Sequence, residues 1–171
     1  MSKINGIYAA SVSVLDKELN LDVDKTIKHA ENLILQGCHG VVIFGSTGQA
    51  QLISVSEKIK LIEKLSKNKF KNNFIIGTGF NSLKETISFL NVCKNFNFEN
   101  FLIMPPAYYF YADNDAIKFY SEIIKIHPWC KIILYNFEKL CGYKFSVECV
   151  EELVKNYPDQ IIGVKDSTYN L

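Results

Sequence analysis

Short apolar runs alternate along the chain with longer segments in which apolar residues recur at helical spacing. The short runs are rich in Val, Ile, Phe and Tyr, side chains that pack well on a pleated sheet, and they predict strands. They occupy residues 7–15, 41–44, 74–79, 101–104, 132–135 and 161–164. Because a segment with helical spacing follows each run but the last, the pattern predicts about six βα units.

Residues that cap helix N-termini precede four of the five predicted helices. They are Asp22, Ser54, Ser82 and Ser146, and spacing alone predicts the fourth helix over residues 115–126. Glu57 and Glu85 each follow a capping serine by three residues, which is the pattern of a capping box. In the helix after Ser54, the buried face is predicted to be Ile59, Ile62 and Leu65.

The strands are almost continuously apolar, as in VVIF, FIIG, FLIM, IILY and IIGV. Parallel strands covered by helices on both faces require this composition. With no linker rich in Ser, Pro or Gly, the pattern predicts one α/β domain over residues 1–171. Both an open doubly wound sheet and a (β/α)8 barrel fit. A barrel typically needs about 250 residues, so length alone favours the open sheet.

The charge balance excludes several classes of partner. The chain has 19 Lys and Arg against 18 Asp and Glu, a net charge of +1, which provides no field for nucleic acid or anionic lipid. No apolar run approaches the ~18 residues that span a bilayer. The first residues, MSKINGIY, lack the apolar core and cleavage site of a signal peptide. We therefore expect a cytoplasmic protein with no nucleic-acid or membrane partner.

The cysteines and histidines do not form a metal or disulfide pattern. The five cysteines include no C-x-x-C pair, and the three histidines are not at zinc-ligand spacing relative to them. Reduced thiols are the expectation, with no metal. The dinucleotide pattern G-x-G-x-x-G and the P-loop pattern are absent from the sequence, so no nucleotide cofactor is expected.

A short loop between glycines follows the second predicted strand. Gly45, Ser46, Thr47 and Gly48 place two hydroxyls and several backbone N–H groups where dihedral freedom is high. Such a loop suits a carboxylate or phosphate oxygen, although a plain tight turn has the same composition. An open flavodoxin-like domain binding phosphate at this loop is one function that fits.

Lys165 ends the last predicted strand, directly after Gly163 and Val164. A lysine drawn into a poorly solvated pocket has a lowered pKa and supplies the neutral amine that attacks a carbonyl. The alternative is a lysine that extends to water from the strand end. Tyr135 occupies the matching place on the preceding strand, where its phenol suits proton relay or plain packing.

The order of these motifs resembles one enzyme family. GSTGQ, PPAYY, LYNF and GVKDST follow the second, fourth, fifth and sixth strands, and GIYAA and GTGFNS occur at 6–10 and 77–82. This set is similar to the pyruvate-dependent class I aldolases that include N-acetylneuraminate lyase and dihydrodipicolinate synthase. The resemblance implies a (β/α)8 TIM barrel and reverses the preference for an open sheet.

The resemblance also implies roles for six residues. Lys165 would form a Schiff base with the keto carbon of pyruvate or another 2-keto acid, and Tyr135 would be the acid/base tyrosine. Ser46 and Thr47, with Gly48 in the same loop, would hold the substrate carboxylate. Tyr108 would reach the site of a neighbouring subunit, which implies a homo-oligomer, usually a dimer of dimers. No external cofactor is implied.

Two positions favour one branch of the family. Leu140 lies two residues before Gly142, where the synthases usually have an arginine and the sialic acid lyases tend to have a leucine. The Ser46–Thr47 pair also favours a lyase similar to N-acetylneuraminate lyase. A dihydrodipicolinate synthase-type condensation and a 2-keto-3-deoxy sugar acid aldolase remain alternatives.

The chain contains about six of the eight βα units of such a barrel. We therefore expect an incomplete, C-terminally truncated TIM-barrel domain over residues 1–171. Gln49, where the family commonly has glutamate, and Glu138, where a proline usually follows the Y-N motif, also depart from the pattern. A catalytically inactive fragment that acts as a binding or assembly subunit is the competing hypothesis.

Overall fold

A computed structural model describes residues 4–168 of the protein. Residues 1–3, which begin the segment without signal-peptide features, lie outside the described part. The chain divides into two compact units. The first comprises the residues up to Gly79 together with Val92–Phe98, and the second comprises Phe80–Asn91 and the residues from Glu99 onward. Among the described residues, no helix has the length and apolar character needed to cross a membrane.

Strands and helices alternate along residues 4–168. The strands are β1 (Tyr8–Ala10), β2 (Gly40–Ile43), β3 (Phe74–Gly77), β4 (Asn100–Ile103), β5 (Lys131–Asn136) and β6 (Ile161–Asp166). The α-helices are α1 (Val23–Leu35), α2 (Val55–Leu65), α3 (Leu83–Asn95), α4 (Asp113–Ile126), α5 (Glu138–Cys141) and α6 (Val147–Asn156). Two short 3₁₀ helices, Ala50–Leu52 and Lys71–Asn73, precede α2 and β3.

The first unit is built on three parallel strands in chain order. β1 pairs with β2, placing Tyr8 beside Gly40, and β2 pairs with β3, placing Val41 beside Phe74. Every residue of β2 and β3 is buried. Leu61 of α2 is also fully buried. Burial along the whole of β2 and β3 agrees with the continuously apolar runs of the sequence.

The second unit is likewise built on parallel strands in chain order, β4, β5 and β6. The β5–β6 register places Tyr135 beside Lys165. Helix α4 contributes Tyr120, which is fully buried and donates from its hydroxyl to the Ile103 carbonyl oxygen at 2.8 Å. A buried hydroxyl with an acceptor avoids the cost of an unmet hydrogen bond. This contact links α4 to the end of β4.

Most helix starts agree with the sequence prediction. The side chains of Asp22, Ser54 and Ser146 each accept a hydrogen bond from a backbone N–H in the first turn of α1, α2 and α6. Ser54 and Glu57 form the complete capping box. Ser82 accepts from the Glu85 N–H at 3.2 Å, so one arm of the second predicted box is present. The prediction contained no counterpart of the four-residue helix α5.

The first strand is shorter than the sequence predicts. β1 covers three residues, where a strand over 7–15 was expected. Beyond it, the Ser13 hydroxyl donates to the Gly48 carbonyl oxygen at 2.6 Å, and the Val14 N–H donates to the Thr26 hydroxyl at 3.0 Å. The Asp22 N–H donates to the Val14 carbonyl oxygen. The residues after Ala10 therefore bond to the glycine loop and to α1 instead of continuing the pairing of β1 with β2. Their apolar pattern resembles that of a strand, although the strand has already ended.

The buried face of α2 also differs from the prediction. Ile62 and Leu65 are buried as expected, but Ile59 is only half-buried and Lys58 is fully buried. The Lys58 ammonium donates to the Thr78 carbonyl oxygen at 2.7 Å and lies 5.7 Å from the centre of the Phe44 ring. A charged side chain tolerates burial when its donors are satisfied, which an apolar pattern does not reveal.

No residue of β1 is buried, and β6 is also more exposed than β2 to β5. Burial alternates along it, and Ile162 and Val164 are 41% and 42% exposed in the described structure. The prediction that all strands are covered on both faces is therefore wrong for β6.

Candidate active site

The end of β5 and the end of β6 bring Lys165 and Tyr135 together, as the sequence predicted. The two residues are direct partners in the parallel register. Side chains of paired residues in parallel strands project from the same face, and the Lys165 Nζ lies 4.0 Å from the centre of the Tyr135 ring. Lys165 is half-buried and Tyr135 is buried. An amine and a phenol thus share one local environment at the strand ends.

Ser167 is a third member of this site that the sequence reasoning missed. Its hydroxyl oxygen accepts a hydrogen bond from the Lys165 Nζ at 2.8 Å. Because the two residues are separated by one position, a turn after β6 brings the hydroxyl back to the amine. Ser167 belongs to the motif GVKDST, and its position two residues after Lys165 is the signal that could have identified it.

Two further residues lie directly after Tyr135 and Lys165 on their strands. Asn136 follows Tyr135, Asp166 follows Lys165, and the Asn136 amide donates to the Asp166 carboxylate at 2.8 Å. Asn136 is buried. Hydrogen bonds from the backbone and side chain of Thr168, and then the bond from Asn136, lower the pKa of Asp166. Neither residue was predicted as a site residue, although Asn136 belongs to the motif LYNF and Asp166 to GVKDST.

The glycine loop lies in the first unit, after β2. Phe44 and Gln49, which flank it, both have left-handed backbone conformations with φ of 55° and 51°. The Gln49 N–H donates to the Ser46 carbonyl oxygen at 3.0 Å, which closes a tight turn. Ser46 is half-buried, and Thr47 is exposed.

Gly48 is the position in this loop where an added side chain would be most tightly packed. A Cβ there would lie 3.0 Å from the Ser11 carbonyl oxygen and 3.3 Å from the Ser13 hydroxyl oxygen. The Gly48 carbonyl oxygen accepts from the Ser13 hydroxyl at 2.6 Å. The loop is therefore bound to the segment after β1, and the glycine allows this close approach of the two backbones.

Tyr108 lies in the loop between β4 and α4. It is 87% exposed, has a φ of 85°, and contacts the ring of Tyr109 edge to face at 5.1 Å between centroids. A non-glycine residue in the left-handed region is uncommon and marks a position where the loop constrains the backbone.

A hydrogen-bonded cluster joins the start of α4 to the start of α6 in the second unit. The Asp113 carboxylate accepts from the Tyr143 hydroxyl at 2.6 Å and from the Ser146 hydroxyl at 2.5 Å. These bonds, that from Ser146 first, lower the pKa of Asp113. Burial and the bond to Asp113 raise the pKa of Tyr143. The phenol therefore stays protonated and acts as a donor.

Residues 4–168 contain no group of three or more His, Cys, Asp or Glu side chains placed to hold a metal ion.

Strands that pair in chain order within each unit and alternate with helices place the chain in the (β/α)8-barrel class of fold, with six of its strands in residues 4–168. The profile of the Dihydrodipicolinate synthetase family matches residues 3–171. The chain belongs to this family, as the ordered motifs predicted.

The relatives include both branches named above. A 4-hydroxy-tetrahydrodipicolinate synthase from Karelsulcia muelleri is 29% identical over 174 residues, covering 100% of this chain and 57% of the relative. An N-acetylneuraminate lyase from Clostridium perfringens is 30% identical over 166 residues, covering 95% and 56%. The crystal structure of dihydrodipicolinate synthase from Agrobacterium tumefaciens matches with a TM-score of 0.90 at 25% identity, covering 96% and 59%. The chain thus spans somewhat over half the length of these relatives.

Proposed function

We propose that the chain carries the imine-forming lysine of a pyruvate-dependent class I aldolase. The observation that carries this proposal is the placement of the Lys165 Nζ 4.0 Å from the centre of the Tyr135 ring, at paired positions on β5 and β6. Membership of the Dihydrodipicolinate synthetase family supports it. The proposed substrate is pyruvate or a larger 2-keto acid.

The proposed first step joins the Lys165 amine to the keto carbon. The nitrogen lone pair forms the C–N bond, and the carbonyl π electrons move to the oxygen, which takes a proton. That first proton comes from the amine nitrogen, and a second proton, from solvent, allows the oxygen to leave as water, giving an imine that keeps the remaining nitrogen proton. Tyr135 supplies the acid/base group that transfers these protons, a role that contributes typically 10²–10⁴-fold to a rate. No metal or organic cofactor is needed for these reaction steps.

The protonated imine then accepts electrons from a neighbouring bond. When the C3–C4 bond of a 2-keto sugar acid breaks, its electron pair moves toward the imine and leaves an enamine. The C4 hydroxyl loses its proton as it becomes the carbonyl of the released aldehyde. In the condensing direction the same enamine is the nucleophile. Ser46, Thr47 and Gly48 are the proposed site for the substrate carboxylate, through hydroxyl and backbone N–H donors.

The finer assignment we propose is a lyase similar to N-acetylneuraminate lyase. Leu140, near the end of α5, and the Ser46–Thr47 pair support it over a synthase-type condensation. The match to an N-acetylneuraminate lyase at 30% identity is consistent with this choice. A 2-keto-3-deoxy sugar acid aldolase is the remaining enzymatic alternative. The odd cysteine count without C-x-x-C pairs supports a reducing, cytoplasmic location.

A non-catalytic assembly subunit is the second candidate function. The observation that favours it is the run Tyr108, Tyr109 and Phe110, which is 87%, 73% and 97% exposed. Exposed contiguous aromatic side chains mark interaction surfaces. Self-association through this run is also part of the enzyme proposal, as a homo-oligomer in which Tyr108 meets a second copy.

Borohydride trapping separates the two candidates. The purified chain is incubated with pyruvate and sodium borohydride, and each lysine is then followed by peptide mass spectrometry. The enzyme proposal expects one reduced pyruvyl adduct, on Lys165. Lys165→Arg retains the positive charge and abolishes the adduct, whereas Lys155→Arg, at an exposed lysine of α6, leaves it unchanged. Intact chain without an adduct on Lys165 would contradict the proposal and favour the assembly subunit.

The substrate branch is tested separately. The release of pyruvate is measured with N-acetylneuraminate and with a 2-keto-3-deoxy hexonate as substrates. Faster release from N-acetylneuraminate supports the lyase assignment, and faster release from the hexonate replaces it with the sugar acid aldolase.

A further inference from the structure

The pairing of β5 and β6 continues past the residues proposed to react. Tyr135 is the register partner of Lys165, and Asn136 is the partner of Asp166. Because successive residues of a strand face opposite sides of the sheet, Asn136 and Asp166 project from the side opposite to the reactive pair. Their side chains are joined by the bond from the Asn136 Nδ2 to the Asp166 Oδ2 at 2.8 Å. The Ser167 N–H also donates to the Asn136 carbonyl oxygen at 2.9 Å.

Asn136 uses both ends of its amide. While the Nδ2 donates to Asp166, the Oδ1 accepts from the Phe145 N–H at 3.2 Å. The side chain is buried, so each of these groups would lose free energy if its partner were removed. Only a side chain with one donor and one acceptor, placed as in asparagine, makes both bonds to these two partners. Asn136 therefore fixes the carboxylate of Asp166 to the backbone before α6.

Asp166 in turn shapes the segment that carries Ser167. Its Oδ1 accepts from the Thr168 N–H at 2.8 Å and from the Thr168 hydroxyl at 2.6 Å, which closes a turn over Ser167. Within this turn, the Ser167 hydroxyl accepts from the Lys165 Nζ at 2.8 Å. The hydrogen bonds of Asn136 and Asp166 thus hold the turn whose Ser167 hydroxyl accepts from the amine of Lys165.

We propose that Asn136 and Asp166 form a positioning pair, which holds the Lys165 amine between the Ser167 hydroxyl and the Tyr135 ring. The inference rests on the proposed imine chemistry and assigns no contact with substrate to either residue. Attack on a carbonyl needs the reacting atoms in alignment, and a misplacement of about 1 Å costs on the order of 10²-fold in rate. The pair acts through Lys165 by keeping the turn and the strand register in place.

The chemistry of the pair allows a reciprocal exchange that tests it. In Asn136→Asp, two carboxylates face each other. In Asp166→Asn, the new amide oxygen can accept from Thr168 only if the new NH₂ group faces the NH₂ group of Asn136, so two donors oppose each other. In the double variant with both changes, the carboxylate at 136 accepts from the Phe145 N–H and from the new amide. The amide oxygen at 166 accepts both Thr168 bonds, so every hydrogen bond is restored with the charge moved across the pair.

The readout is the rate of the trapped pyruvyl adduct on Lys165, with thermal unfolding of each variant measured in parallel. We expect each single change to slow trapping at least tenfold, and the double variant to return within about threefold of the wild-type rate. Thr168→Val is the matched control, since it removes one bond to Asp166 and leaves the Asn136 bond intact. It should slow trapping less than either single change. If Asn136→Asp does not fold, Asp166→Asn and the double variant decide the matter.

A second readout separates this inference from the proposed function. Acetic anhydride acylates amines without pyruvate, and its rate at Lys165 is measured relative to the exposed Lys155 of α6 in all variants. A pair that positions the amine changes the Lys165 rate in the single variants and restores it in the double variant, even if the wild type forms no pyruvyl adduct. The positioning role is wrong if both single variants trap pyruvate and acylate Lys165 at the wild-type rates. It is also wrong if the double variant reacts no faster than the slower single variant.

Discussion

Tyr135 is the residue whose role can be isolated most cleanly, because phenylalanine keeps its ring and removes only its hydroxyl. The ring is buried, lies 4.0 Å from the Lys165 Nζ and packs at 5.8 Å from the ring of Phe137. Tyr135→Phe should therefore fold normally. If the phenol transfers protons during imine formation, the pyruvyl adduct on Lys165 should form about a hundredfold more slowly.

The control for this variant is Tyr109→Phe. Tyr109 is an exposed tyrosine in the same unit, and loss of its hydroxyl should leave the trapping rate unchanged. Adduct formation by Tyr135→Phe at the wild-type rate, measured over the same borohydride concentrations, would show that the phenol takes no part in the step.

Asp113 makes stability depend on pH in a defined direction. The hydroxyls of Ser146 and Tyr143 hold the pKa of this carboxyl below its ordinary value of 3.8. In the window between the folded and unfolded pKa values, the unfolded state binds the additional proton, so the free energy of unfolding rises with pH. The contribution of Asp113 is fully present above the unfolded pKa and is lost as pH falls through the folded pKa.

Urea unfolding between pH 5 and about 2.5 measures this effect. Asp113→Asn should be less stable than the wild type at pH 5, and the difference should shrink as pH falls. Asp115→Asn is the control, because Asp115 lies in the same first turn of α4 and accepts instead from the Ala112 N–H at 3.1 Å. A constant difference between wild type and Asp113→Asn across the pH range would contradict the expected linkage.

At the scale of the element, the start of α2 is the most fully specified helix end. Ser54 accepts from the Glu57 N–H, the Ser54 N–H donates to the Glu57 carboxylate at 3.0 Å, and the Leu21 N–H donates to the same side chain at 2.7 Å. Ser54→Ala removes the cap and should lower the free energy of unfolding by about 1 kcal/mol. Ser56→Ala, two residues later, removes a hydroxyl 3.2 Å from that of Ser54 but leaves the cap in place, so it should change the free energy of unfolding by less. Equal losses for the two variants in urea unfolding would show that the cap contributes little.

The capping residues and the apolar strands were predictable because each is a local signal. Ser54 with Glu57 and the runs VVIF and FIIG report their structure from a few neighbouring residues, and the structure confirms them. The extent of β1 was not predictable, since its length is set by bonds to Thr26 and Gly48, which are distant in sequence. Burial of Lys58 depends in the same way on the Thr78 carbonyl oxygen.

In the candidate site, too, some features were predictable from the sequence and others were not. The placement of Lys165 beside Tyr135 followed from parallel strands, whose carboxyl ends meet at one edge. Ser167 was missed because its bond to Lys165 depends on the turn after β6, and that turn depends on Asp166 and Thr168. A pattern of residue types identifies a lysine suited to imine chemistry but does not specify which short side chain reaches its amine.

At the scale of the whole molecule, the aromatic run Tyr108, Tyr109 and Phe110 predicts self-association. Phe110 is 97% exposed, and burying one such side chain in an interface gives about 1.5–3 kcal/mol. Phe110→Glu places a charge in the run and should weaken the self-association constant at least tenfold, as measured by sedimentation velocity over a range of concentrations. Leu52→Glu, at a residue 79% exposed in the first unit, is the control for added charge. If both variants associate like the wild type, the aromatic run does not form the interface. If both weaken equally, added charge alone explains the change.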